Sequence, residues 1–377
     1  MVDNCVAIEY QPSWGFKREP ARATNLRIDY CNGMKFDDNF DWNNAWYDAV
    51  HVSLNTIILI GPPLYSAQTW IKDNVIFLDP DNNILPMTFI NLDRVSYTNL
   101  SVSKAVDYIT MVHNTEAVVI PVNKNDGDFN NKKVMVTLQK DNPIEWIQQW
   151  VSYHNKVHGI EGFLIYDNSS TTYSSNDIQS ALQHIPATIE IVNWPYPYGP
   201  QGSDHAPWDS DYGQYVMLEH AKIRYLSYSS LVLNNDIDEL IVIDGLTLDN
   251  IEKHLMSTQS GCLRYIGKWI EPYDSINKVS ADQIKLPDRL FRNFYSIDPT
   301  NTRPIGHKWM LVPSRHLNNQ WLVHHITDVM LESSQVRYAH VLAMNTNWSW
   351  TRDVFKGDIK NLVTDQTLLT SLMKTDK

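Results

Sequence analysis

The sequence predicts an α/β protein, a mostly parallel sheet flanked by helices that follows an N-terminal β-rich accessory region. Three observations carry this reading. From about residue 133 short apolar runs alternate with helical periods in β-α-β-α-β order, which favours a parallel sheet with helices on both faces. Residues 1–130 instead place short apolar runs between turns rich in Asn and Asp. Finally, residues 232–242 (Val-Leu-Asn-Asn-Asp-Ile-Asp-Glu-Leu-Ile-Val) set Asp236 and Asp238 inside an otherwise apolar stretch.

In the first region the apolar runs lie at 56–60, 75–78 and 117–122. Asp79–Asn83 and Asn123–Gly127 read as turns, and Asn123–Lys132 is the candidate linker. Val134–Leu138 is the first strand of the second region. Asn142 as N-cap, Pro143 at N1 and Glu145 at N3 open a helix, and Ile144, Ile147, Val151 and His154 keep its period, with Trp150 beside them. Gly159 is a natural stop. Phe163–Tyr166 is a strand ending in Asp167-Asn168-Ser169-Ser170; a helix follows at 175–184 and a strand at Thr188–Val192. The loop from Trp194, whose first part to Trp208 is a candidate lid, leads into a helix from Gln214 to Tyr228, and the strand bearing the two aspartates comes next. Residues 346–377 read as a helical tail.

The composition narrows the function. The 377 residues are 43% hydrophobic and 20% charged, as in an ordinary globular chain. A net charge of −12 argues against a nucleic-acid surface. Cys5, Cys31 and Cys262 form no CxxC pair, which fits a reducing compartment without a zinc site. The first ten residues lack the pattern of a signal peptide, and the apolar run Thr56–Ile60 is too short to span a bilayer. These features favour a cytoplasmic protein, either free or peripheral to the membrane. Thirteen Trp and nineteen Tyr supply rings for cores or for stacking on sugars.

No dinucleotide fingerprint, P-loop or nucleophile elbow is present. Residues i and i+2 of an extended segment share a side, so Asp236 and Asp238 can converge on one cation. Such hard oxygen ligands suit Mg²⁺ or Mn²⁺. In parallel sheets ligands bind beyond the carboxyl ends of strands, where Asp167 also lies. Downstream come His307-Lys308, Arg315-His316, His324-His325 and His340.

Asp141-Asn142-Pro143-Ile144-Glu145-Trp146, with Trp150, His154 and Gly159, then Phe163 to Ser170, resembles the opening of glycosyltransferases of the family 92 and family 2-like group. The likeness continues through Gln214, Asn235–Glu239, Lys308, Val323-His324-His325 and Tyr338-Ala339-His340, covering residues 132 to 345. It implies a GT-A fold over residues 131–345, a UDP- or GDP-sugar donor, a glycan acceptor, and Mn²⁺ or Mg²⁺. Asp238 is the first choice as metal ligand, with Asp236 touching metal or ribose and His325 (or His324) adding a ligand. Asp167 would accept from a base or ribose, or close an Asx-turn. Thr137 and Leu138 would line the base pocket, Lys308 would meet the diphosphate, and Gln214 would contact the donor.

An inverting transfer needs a general base by the acceptor hydroxyl. Glu271 and Asp274, close to Trp269 and Tyr273, are the candidates, although the chain lacks the Phe-Gly pair the family carries after this strand. The expected function is metal-dependent sugar transfer in surface polysaccharide or glycoconjugate synthesis. The alternatives are a metal-dependent phosphoester hydrolase and a non-catalytic glycan-binding protein. The N-terminal region would bind acceptor, a partner or a second copy.

Overall fold

A computed structural model describes residues 2–5, 7–9, 14, 16, 18–20, 36–200, 210, 212–328, 330–346 and 351–376. Its centre is a nine-stranded sheet built from β1 (Val2–Asn4), β2 (Lys133–Gln139), β3 (Gly162–Asp167), β4 (Thr188–Asn193), β5 (Leu231–Asn234), β6 (Glu239–Ile243), β7 (Cys262–Ile270), β8 (His307–Leu311) and β9 (Leu331–Val341). The spatial order is β1-β4-β3-β2-β5-β8-β7-β9-β6. Strands β4, β3, β2 and β5 run parallel, as the alternating pattern predicts, and β1, from the N-terminal region and outside that pattern, pairs parallel with β4 at the edge. β8 then pairs antiparallel on both sides, β7 and β9 are parallel, and β6 closes the edge antiparallel to β9. All six residues of β3 are buried, the mark of a strand covered on both faces.

The helices are α1 (Ile144–His158), α2 (Ser175–Leu182), α3 (Tyr212–Ala221), α4 (Leu248–Ser257) and α5 (Gln366–Leu372). Gly159 ends α1 at φ 67°, where a side chain would be strained. The N-cap of α1 is Pro143 rather than Asn142: Pro143 keeps an extended ψ of 135°, and the Asn142 amide donates to Gln139 Oε1 (3.4 Å) instead. α2 starts with a capping box between Ser174 and Asp177. The helix expected to reach Tyr228 is α-helical only to Ala221 and continues as a π-turn, Lys222–Leu226. The tail contains α5, flanked by a 3₁₀ turn at Ile359–Asn361, and a short strand, Val363–Thr364, paired with Ser296–Ile297.

The N-terminal region forms a four-stranded and a five-stranded sheet. It does not stand apart. Val2–Asn4 lies in the central sheet, and one continuous apolar cluster joins Tyr47, Ile60, Val95 and Tyr97 to Trp194, Met217, Leu218 and Trp309. Buried polar contacts reinforce that junction on α3 and its π-turn. Asp48 accepts from His220 Nε2 (2.8 Å) and Arg224 Nη1 (2.6 Å), and Glu219 accepts from Tyr97 Oη, Lys222 Nζ (2.7 Å) and the Trp321 N–H (2.7 Å). Of the candidate lid, residues 201–208 lie outside the described residues.

Candidate active site

β5 stops at Asn234, and Asn235 to Asp238 form a turn closed by the Glu239 N–H on the Asp236 carbonyl (3.0 Å). The expected single strand through both aspartates is therefore two strands that lie far apart in the sheet order, and the aspartates sit on the turn between them. Ile237 explains the bend. It is buried in the main core, which draws the turn inward and leaves Asp236 and Asp238 together on the other side. The carboxylates still converge: ligand oxygens of Asp236, Asp238 and Glu239 lie within 4.8 Å of one another.

Glu239 is the buried member. Its Oε2 accepts from the Asp236 N–H (3.0 Å) and Asn235 Nδ2 (3.2 Å), while Tyr265 Oη donates to Asn235 Oδ1 (2.6 Å). Lys308, only 1% exposed, holds Asp236 at 2.9 Å and Glu239 at 3.3 Å. The sheet register pairs His340 with Glu239 on one side and with Trp269 on the other. This places His340 Nε2 3.0 Å from Asp238 Oδ2, with its ring 4.4 Å from that of Trp269.

Burial pushes the Glu239 carboxyl up to about 7, and the charges of Asp236 and Asp238 add to the rise against Lys308 and His340. Asp238 goes the other way: burial would raise it, but His340, then Arg352 and Lys308, hold it below the usual carboxylate range. Lys308 and His340 are both raised, because their carboxylate partners outweigh burial.

The other expected site residues are distributed around this turn. Asp167, at the end of β3, is 3% exposed and accepts from Gln139 Nε2 (2.6 Å), Ser170 Oγ (2.5 Å) and Ser175 Oγ (3.2 Å); burial raises it. Thr137 in β2 is fully buried and its Oγ1 has no hydrogen-bond partner among the described residues, while Leu138 is half-buried. Gln214 accepts from Tyr198 Oη (3.1 Å) in the first turn of α3. Glu271 accepts from Asn301 Nδ2 (2.7 Å). Asp274 has no exposure and organises its own loop, accepting from the N–H groups of Ile276 and Asn277 and from the amides of Asn277 and Asn293.

His324 Nδ1 donates to the His307 carbonyl (2.7 Å), and His325 pairs with exposed Asp328 at 3.5 Å. The histidine bonded to the aspartate pair is His340. Glu239, His340 and Arg352 were the residues sequence reasoning did not assign. The first was legible as the acid next to the pair. The register that brings in His340, and the tail that brings in Arg352, were not.

Among the described residues a second ligand-like group, Cys5, Asp48 and His220, lies at the junction with the N-terminal sheets. Its atoms are already engaged. Arg224 takes Asp48, and His220 uses Nδ1 on Tyr166 Oη (2.8 Å). Burial pushes the Cys5 thiol up. It is a structural tie.

Fold and site define an α/β protein with an oxygen-rich acidic cluster beyond the carboxyl end of a central strand. The model of glycosyltransferase family 92 matches residues 135–366, so the chain belongs to this family and is a glycosyltransferase. The match extends past the resemblance limit at 345 into the tail. Comparison with curated proteins finds no match.

Among solved structures, the mannosyltransferase Ktr4p of S. cerevisiae is 10% identical, covering 40% of this chain and 43% of that one, at a TM-score of 0.26. Core-mannan synthase A of Aspergillus fumigatus in its Mn/GDP form is 7% identical, covering 40% and 47%, at 0.26. The galactosyltransferase LgtC with donor and acceptor sugar analogues is 15% identical, covering 63% and 70%, at 0.27. The chain thus spans less than half the length of the first two of these proteins. Among the described residues, no helix is long and apolar enough to cross a membrane.

Proposed function

We propose that the chain moves a sugar from a UDP- or GDP-sugar to a hydroxyl of a glycan, with Mn²⁺ or Mg²⁺ held by Asp236, Asp238 and Glu239. The convergence of these three carboxylates within 4.8 Å carries the reading. An all-oxygen donor set fits a hard divalent ion. When bound, such a cation neutralises the diphosphate charge that develops as the glycosidic bond breaks.

The chain's own groups supply the rest. Lys308 fixes Asp236 and Glu239 and adds positive charge next to the leaving diphosphate. His340 orients Asp238. The unpartnered Thr137 hydroxyl suits a polar edge of the donor base, which Asp167 borders from β3. Glu271 is preferred to Asp274 as the base of an inverting transfer: one oxygen is held by Asn301, whereas both Asp274 oxygens are spent on its own loop. Synthesis of surface polysaccharide or glycoconjugate is the setting this chemistry fits.

The test is metal-dependent hydrolysis of UDP- and GDP-sugars in the absence of acceptor. Asp238→Asn is expected to lower the rate by about 10²-fold or more while the fold persists. Full activity in that variant would remove the cluster from the reaction. Release of phosphate from simple phosphoesters without sugar transfer would favour the hydrolase reading.

A further inference from the structure

A cleft of about 230 Å³ opens on the N-terminal five-stranded sheet, between the start of the helix Ser66–Asn74 and the hairpin joining Met87–Leu92 to Val95–Ser101. Its polar lining comes from Tyr65, Gln68, Asn91, Asp93, Arg94 and Ser96. Two of these residues hold backbone conformations that L side chains rarely adopt, Tyr65 at φ 46° and Arg94 at φ 61°. For Arg94 this is the ordinary geometry of a two-residue hairpin turn, set between the paired residues Leu92 and Val95.

Arg94 is the informative side chain. It is 13% exposed, with its guanidinium 3.9 Å over the Tyr215 ring, yet its only hydrogen bond among the described residues is from Nε to Asp93 (3.4 Å). Both Nη groups therefore remain as donors. Around it, Ser96 Oγ donates to Asn91 Oδ1 (3.2 Å) and Asn91 Nδ2 donates to Gln68 Oε1 (2.8 Å), which leaves the Gln68 amide donors available. Asp93 offsets the arginine charge, and among the described residues no lysine or second arginine lines the cleft. With the Asp93 carboxylate against Arg94 Nε the pair is close to neutral, and the remaining amide, hydroxyl and guanidinium groups offer the mixed donors and acceptors that the hydroxyls of a neutral sugar need.

The cleft is also tied to the catalytic half. Tyr215 belongs to the first turn of α3, which starts from the carboxyl-end side of the parallel strands, where the aspartate turn lies. Gln320, in the segment that carries His324, bonds the Asp93 backbone through both ends of its amide (2.9 and 2.7 Å).

We propose that this cleft binds a monosaccharide unit of a neutral oligosaccharide acceptor, away from the reacting hydroxyl. The inference rests on the glycosyltransferase reading above, and its test does not use turnover. The full chain is applied to an array of neutral, acidic and phosphorylated oligosaccharides, in wild-type, Arg94→Ala and Gln68→Ala forms. Gln68 is a partly exposed helix residue, so its variant guards against a folding loss at Arg94.

The expected result is binding to at least one neutral oligosaccharide, weakened tenfold or more by each substitution, with donor hydrolysis retained. No neutral ligand, binding confined to acidic or phosphorylated glycans, or affinity unchanged in both variants would overturn it. Loss of donor hydrolysis on Asp238→Asn, measured separately, reports on the catalytic reading and not on this one.

Discussion

At the scale of single residues, the site is a problem in charge balance. Three carboxylates share a turn, and a lysine that is 1% exposed stands against two of them. Removing one partner of a buried ion pair strands the other, at a cost of about 3–5 kcal/mol. Lys308→Met is therefore expected to lower stability by about 3 kcal/mol in chemical denaturation. Adding Glu239→Gln should recover part of that loss, because Glu239 is the acid most fully removed from water. Additive effects in the double variant would show that Lys308 and Glu239 are not coupled.

At the scale of elements, α1 holds the strand that follows the aspartate turn. Trp150 Nε1 donates to the Glu239 carbonyl (3.0 Å), Tyr153 Oη to the Ile241 carbonyl (2.7 Å), and His154 Nε2 accepts from the Ile241 N–H (3.1 Å). The helix thus satisfies backbone groups of an edge strand that would otherwise be open. His154 must be neutral to accept, and burial, helped by His158, holds its pKa well below the ordinary 6.5.

A depressed histidine gives stability that is complete above its unfolded pKa and lost as pH falls, because the unfolded chain takes up the proton first. The penalty of His154→Gln should therefore shrink between about pH 7 and 5, by at most about 1.4 kcal/mol per pH unit. Melts of both forms across this range measure it, and a constant difference would mean that His154 does not titrate on unfolding.

The same elements show what a sequence reveals. Trp150, His154 and Gly159 were legible because a helix imposes its period and stop locally. The parallel direction of the strands from Lys133 to Asn234 needed only their alternation with helices, whereas their spatial order did not follow from it. The turn at Asp236 was not legible, because an apolar residue between two acids fits an extended strand and a bend with a buried Ile237 equally well. His340 reaches Asp238 only through pairing between strands distant in sequence, and Asp274 looks like any loop acid until its four donors are in place.

At the scale of the whole molecule, the apolar cluster running from Tyr47 and Tyr97 to Trp194 and Met217 crosses the boundary expected near residue 130. A fragment beginning at residue 131 would lack β1 and uncover α3, where eight of ten residues are buried. It is expected not to give a cooperative melt or dispersed amide resonances. A well-folded fragment with donor hydrolysis would establish two independent units.

The enclosure of α3 also bears on how the chain is made. A helix with almost no water-facing side is a poor species to leave uncovered, and chains emerge from their N-terminal end. The N-terminal sheets that cover one side of α3 are encoded ahead of it, so that part of its cover is synthesised before it appears. A permuted chain with residues 1–130 moved behind the catalytic half would present that helix to solvent for the time needed to synthesise its cover.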